Sequence, residues 1–174
     1  PPPPTPPPTP SSAASDVYKR QGSGVDVEDG IRCDETLATN VPGIVAAGDV
    51  ASWHNPLFDE RMRVEHWTNA VEQSRHAVGT LLAEPGEATP FESVPSFWSD
   101  QYDVKIQGVG HPKPTDELLL AGDEGEGDKL VALYGRAGRL VGAVTFNQPP
   151  KLIRLRQLIA KRGTLDDARK IAEP

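Results

Sequence analysis

Three features of this chain have the residue types and spacing to do chemistry. The first is Asp49, which follows the uncharged run Ile44-Val45-Ala46-Ala47 and the turn residue Gly48. That run, fed by Pro42-Gly43, reads as a buried parallel strand. Just past the carboxyl end of such a strand, a carboxylate can accept hydrogen bonds from sugar or polyol hydroxyls, where open α/β sheets bind their ligands. Gly48 has no Cβ, so backbone there can approach a ligand closely. By itself a Gly-Asp pair is an ordinary turn. The second feature is the mouth of a helix that begins near Trp67, where unpaired N–H groups and the positive end of the dipole favour negative charge. The third is a run of cations, Lys151, Arg154, Arg156, Lys161 and Arg162, in a chain of net charge −7. Such a run is usually a solvated face, and the functional alternative is docking of an acidic partner.

Helix periodicity places these groups. Trp67, Ala70, Val71, Ser74, Val78, Leu81 and Leu82 recur at helical spacing, with Glu72, Gln73, Arg75 and His76 largely opposite. The helix is expected over about 67–82, with Pro85-Gly86 as its stop and Thr68 or a neighbour as its cap. Between Asp49 and this helix, Ala51 to Asp59 reads as a loop. Before Asp49, Gly30 to Asp34 alternates as a half-exposed strand, and Cys33 reads as a small filler within it.

Beyond the acidic, Pro- and Gly-rich boundary at Glu84 to Pro90, the pattern turns to strands. Val94 to Tyr102 and Val104 to Gly110 read as strands, and Leu118 to Ala121 as a buried one. Lys129 to Tyr134 and Arg139 to Phe146 form a hairpin around Gly135–Gly138. The acidic tip Asp123 to Asp128 lacks the order of a calcium loop. Leu152, Leu155, Leu158 and Ile159 stripe a helix ending at Gly163, and Thr164 caps a short one after it. Strands followed by helices make this module α+β.

Thr39, the apolar run and Ala-x-Gly-Asp together resemble the second FAD-binding motif of the two-dinucleotide flavoprotein oxidoreductases. Arg63-Val64-Glu65-His66-Trp67 follows at that family's spacing, and Phe97-Trp98-Ser99-Asp100-Gln101 resembles the opening of the C-terminal domain in its ferredoxin-reductase branch. The resemblance implies an α/β fragment of an FAD-binding domain over 22–86. An α+β reductase C-terminal domain over 87–174, an antiparallel sheet plus helices, would follow. It implies FAD as cofactor, contacted at Gly48, Asp49, Glu65, His66, Trp67 and Trp98. Asp49 would hold the ribityl chain, the Trp67 amide the electron-rich edge of the ring, and Trp98 would lie near the isoalloxazine. It further implies a [2Fe-2S] ferredoxin partner docked at Arg75, Lys151 and Arg154. No side chain here is assigned a catalytic role. NAD(P)H would bind in an N-terminal part, because no Gly-x-Gly-x-x-Gly fingerprint occurs in this chain. Such a fragment is expected to be inactive alone. Other readings are a flavoprotein of the monodehydroascorbate or nitrite reductase type, or a non-enzymatic interaction module.

Composition bounds the rest. The negative charge disfavours nucleic acid, and no run of 18 apolar residues exists to span a membrane, so a cytoplasmic protein is expected. One cysteine excludes an internal disulfide. The four histidines lack metal-ligand spacing. Oligomeric state and electron acceptor are open. Pro1 to Pro10, eight prolines and two threonines, cannot bury a core. Asp16-Val17-Tyr18-Lys19-Arg20-Gln21 resembles a translated sequencing adapter. Residues 1–21 are therefore expected to be a disordered, artefactual tail.

Overall fold

The computed structural model describes residues 22–121 and 129–173. The tail at 1–21 and the acidic tip at 123–128 lie outside the described residues.

Two sheets carry the fold. The first orders β1 (Val27–Glu28), β2 (Gly30–Arg32), β3 (Ala51–Asn55) and β4 (Glu60–Arg63) side by side. β1–β2 and β3–β4 are antiparallel and β2–β3 parallel. Helix α1 (Trp67–Leu82) follows. The second sheet is wholly antiparallel, in the order β5 (Ser96–Gln101), β6 (Val104–Gly110), β9 (Arg139–Phe146), β8 (Leu130–Arg136), β7 (Glu117–Ala121). Helices α2 (Pro149–Ala160) and α3 (Leu165–Ala172) cover one of its faces. The antiparallel sheet plus helices is the α+β architecture expected for the second half.

Local chemistry explains the ends of these elements. β8 and β9 meet at Ala137-Gly138, both at positive φ (51° and 76°), as a two-residue hairpin needs. Pro149 and Pro150 open α2, where the missing N–H groups cost nothing and φ is already helical. Arg162 at φ 56° turns the chain out of α2. The Thr164 hydroxyl accepts from the Asp167 amide at 3.1 Å, the cap expected from sequence.

Each sheet has its own core. Ile31, Cys33, Leu37, Trp53, Met62, Val64 and Ala77 fill the first. Val109, Val131, Leu133, Leu140 and Ala143 of the second sheet pack on Leu152, Leu155, Ile159, Leu165 and Ala168. Leu57, at the tip between β3 and β4, belongs to that second core. Its burial is worth about 1.5–3 kcal/mol. Arg139 donates to the Leu57 carbonyl at 3.3 Å and Arg162 to the Pro56 carbonyl at 3.2 Å, so the tip is held by backbone as well as by packing.

Several expectations change. Ile44 to Ala47 is not a strand. A strand needs a ladder, and here Val45 makes one isolated bridge, to Ala38, while Ile44 is exposed. A 3-10 turn, Gly48–Val50, follows directly. The strand comes after Asp49, not before it. Residues read as a loop form the β3–β4 hairpin, with Trp53 opposite Met62 and Asn55 opposite Glu60. Its polar residues hid the alternation. Asn55 is buried because its side chain donates to the Ser93 carbonyl at 2.9 Å and accepts from the Leu57 amide at 3.1 Å. β7 is an edge strand whose Leu118 and Leu120 are exposed, not a buried strand. Among the described residues, no helix is long and apolar enough to cross a membrane.

Helix α1 has the expected bounds but turns the unexpected face inward. Asn69, Gln73 and Ala77 are buried, whereas Trp67, Val78, Leu81 and Leu82 are exposed. Each inward amide has one partnered end, while the Asn69 Oδ1 and the Gln73 Nε2 are buried without a partner. Asn69 donates to the Val64 carbonyl at 3.1 Å, and Gln73 accepts from the Gly48 amide at 2.7 Å. Those bonds offset part of the cost of burying the two amides.

Candidate functional site

The 3-10 turn and the first turns of α1 lie against each other. Gly48 sits at φ 76°, and a Cβ built on it would lie 3.4 Å from the Ala70 Cβ. That gap, with the Gly48–Gln73 bond, sets the turn on the flank of the helix. Asp49 is exposed, and its carboxylate makes no hydrogen bond to the described residues. Its carbonyl accepts from Arg63 at 3.1 Å. Arg63 also donates to Asp29 at 2.9 Å and pairs with Glu65. Glu65 is thus engaged with Arg63 beside Asp49.

His66 is the N-cap residue of α1, but its side chain makes no capping bond. Thr68 does not cap either, because its hydroxyl donates to the Ser96 carbonyl at 2.9 Å. The first-turn amides of α1 therefore keep their donors open. The bond from Thr68 also ties α1 to the start of β5. Burial pushes the proton affinity of His66 down, Asp49 opposes that, and His111 adds to it. The His66 Nδ1 is buried without a partner.

Aromatic rings from both halves meet at this end of α1. Trp67, 74% exposed, meets Trp98, 50% exposed, edge to face at a centroid distance of 6.3 Å and 90° between planes. His66 lies 5.6 Å from the Phe97 ring. Phe97 rests on Gly108, where a Cβ would come within 2.2 Å of the ring. Gly48, Asp49, Glu65, His66, Trp67 and Trp98 are thus gathered around the Gly48 turn and the mouth of α1.

The three cations expected to dock a partner are more dispersed. Arg75 is exposed further along α1, and Arg154 is exposed on α2; neither has a polar partner among the described residues. Lys151 donates to the carbonyls of Ala172 and Glu173 at 2.7 and 3.2 Å, closing the end of α3. Two other cations of that run brace the fold. Arg156 pairs with Glu72 of α1 at 2.9 Å and Arg162 with Glu92 at 3.1 Å. Cys33 is buried, and burial pushes its thiol up to about 11, which makes it inert.

Sequence reasoning placed Arg63 and Phe97 in motifs without giving either a role, and it missed Gln73 and a charged cluster between the sheets. Glu60 of β4 pairs with Lys113 and lies 3.6 Å from both His111 and Arg136. Arg136 grips Asp116 with two bonds of 2.7 and 2.9 Å. These partners are far apart in the chain, so no local pattern announces them. Periodicity could have flagged Gln73 only by the absence of an apolar residue at its position.

Comparison with known proteins finds matches along most of the chain. A family model described as pyridine nucleotide-disulphide oxidoreductase matches residues 10–74, and one described as reductase C-terminal matches residues 96–174. The ferredoxin–NAD(+) reductase component of an anthranilate 1,2-dioxygenase system from Burkholderia cepacia is 34% identical over 91% of this chain and 38% of its own length. The crystal structure of Fdr9 superposes with a TM-score of 0.78 at 39% identity, covering 88% of this chain and 39% of that one. The reductase in a covalent putidaredoxin reductase–putidaredoxin complex gives a TM-score of 0.75 at 30% identity, over 84% of this chain and 34% of that one. The chain thus spans 34–39% of the length of these three proteins.

Proposed function

We propose that this chain, which belongs to the FAD-dependent pyridine-nucleotide oxidoreductases of the ferredoxin-reductase type and corresponds to their C-terminal portion, supplies one wall of a flavin site. The intact gene product then carries electrons from NAD(P)H through FAD to a [2Fe-2S] ferredoxin. FAD, when bound, accepts hydride from the nicotinamide and releases electrons singly.

The residues present fit that cofactor. The observation that carries the reading is the seating of the Gly48 turn on α1 through Gln73, with a free carboxylate on one side and open amides on the other. Asp49 would accept hydrogen bonds from the ribityl hydroxyls. The Trp67 amide would face the edge of the ring where negative charge accumulates, and would lower its energy through the helix end. Trp98 and Trp67 would shield that ring from water. Glu65, held by Arg63, keeps the approach to α1 in place. On the partner side, Arg75 and Arg154 offer unpaired positive charge to an acidic protein, and Lys151 adds its charge from the end of α3, whose carbonyls it holds. Without a Gly-x-Gly-x-x-Gly segment, the 174 residues alone should neither hold FAD tightly nor turn over NAD(P)H.

The test is to purify the intact gene product and compare it with a variant carrying Asp49→Ala. Stoichiometric FAD in the parent, with flavin occupancy reduced about tenfold or more in the variant, is expected from losing charge-assisted hydrogen bonds. A colourless parent protein, or equal occupancy in the two, refutes the reading.

A further inference from the structure

His66 stands out among the titratable groups. Its Nδ1 is buried with no hydrogen-bond partner, although buried polar atoms nearly always find one. The ring is held on one side by Phe97, at 5.6 Å, and Phe97 is itself pressed onto Gly108. His66 is also the N-cap of a 16-residue helix with no acidic residue in its first turn. Positive dipole and burial both disfavour an imidazolium there.

Few charges face it. Asp49 from the 3-10 turn favours the proton, and His111, from the loop after β6, opposes it. His111 is itself pushed toward the neutral form by burial, with Glu60 opposing and Lys113 and Arg136 adding to the effect. Burial thus favours the neutral form of both rings. An anion placed at the mouth of α1 would reverse the balance at His66, because a close negative charge offsets the helix end and stabilises the protonated ring. His111 is tied into the Glu60 cluster, 3.6 Å from the Glu60 carboxylate.

We propose that His66 is the proton-holding residue of the flavin wall: it is neutral beside a neutral ring system and takes one proton when that ring system becomes anionic. The inference rests on the flavin reading above. The proton comes from solvent and returns to it, and its only bond is to a ring nitrogen of His66. By linkage, the proton on His66 stabilises the negative charge as much as the charge stabilises the proton. His66 thereby makes the affinity of the site for electrons depend on pH.

The experiment uses the intact gene product with its FAD. Imidazole resonances are titrated by NMR in the oxidised protein and after reduction with dithionite, with His66 assigned by its loss in H66N. Reduction is expected to raise the proton affinity of His66 about tenfold or more. In parallel, the flavin midpoint potential is followed against pH. The parent should show a bend at the His66 titration, and H66N should not. A His66 that titrates identically in both forms, or a bend that survives in H66N, overturns the proposal while leaving the flavin reading intact. A gene product that carries no flavin overturns both.

Discussion

The Gln73 side-chain oxygen accepts the Gly48 amide hydrogen at 2.7 Å, across 25 residues of sequence. Gln73 is fully buried, so this bond sits where water cannot replace it. It decides where the carboxylate of Asp49 stands relative to the first amides of α1.

Replacing Gln73 with Leu removes the acceptor while keeping the volume. The Gly48 N–H is then buried without a partner, but the unpartnered Gln73 Nε2 goes too, so the expected loss of stability is about 1 kcal/mol, the low end of the cost of an orphaned donor. Urea unfolding of the intact gene product measures it, and a weaker FAD affinity should accompany it. Unchanged affinity in a destabilised variant would mean that the turn does not need Gln73 to hold the ligand.

Gly48→Ala tests the turn from the other side. At φ 76° an L-residue costs about 1–2 kcal/mol, and the new methyl must pack against Ala70. Thermal unfolding should show the loss. Gly43→Ala, also at positive φ but with open space around it, should show the backbone cost alone.

How far the sequence revealed this site is clearest on α1. The periodicity set the bounds Trp67–Leu82, because helical spacing survives whichever side faces inward. The inward side could not be read. Hydrophobic pattern assumes that apolar residues are buried, but Asn69 and Gln73 are buried here because their amides bond to Val64 and Gly48. β3 was hidden for a related reason. Ser52, His54 and Asn55 do not look like strand residues, and their backbone pairing with β4 decides the matter. Thr164 was legible because a cap is a local contact.

The cations on α2 should separate into two kinds. Arg154→Glu leaves the fold intact and should slow reduction of an acidic ferredoxin about tenfold at low salt, with the difference fading as salt is raised. Arg156→Glu instead places like charge against Glu72 and should lower stability. Stopped-flow kinetics across a salt series, with unfolding measured alongside, distinguishes the two. Equal behaviour of both variants would remove the docking assignment from Arg154.

Acid should weaken the Asp116–Arg136 pair, which joins the start of β7 to the end of β8 within the second sheet. The hydrogen-bonded Arg136 holds the Asp116 carboxyl below its usual range. A lowered folded value stabilises the protein above the unfolded carboxylate value, about pH 4, and that stability is lost as pH falls through the folded value. Asp116→Asn should therefore flatten the stability profile below about pH 4 while lowering the plateau above it. Urea midpoints collected from pH 3 to 7 test this.

The Trp67–Trp98 pair offers a direct report on how the two halves are joined. Rings at 6.3 Å and 90° should couple in circular dichroism, so either Trp67→Phe or Trp98→Phe should remove the same band. Different difference spectra for the two variants would mean that the rings do not couple.

The tip at Pro56, Leu57 and Phe58 has a bearing on recombination between related reductases. Leu57 is rooted in the core beneath α2 and α3, and two arginines of that region clasp the tip's carbonyls. A chimera joined at the boundary near Pro90 would separate the plug from its socket. Grafting the second sheet from another family member would succeed only if the β3–β4 hairpin travelled with it.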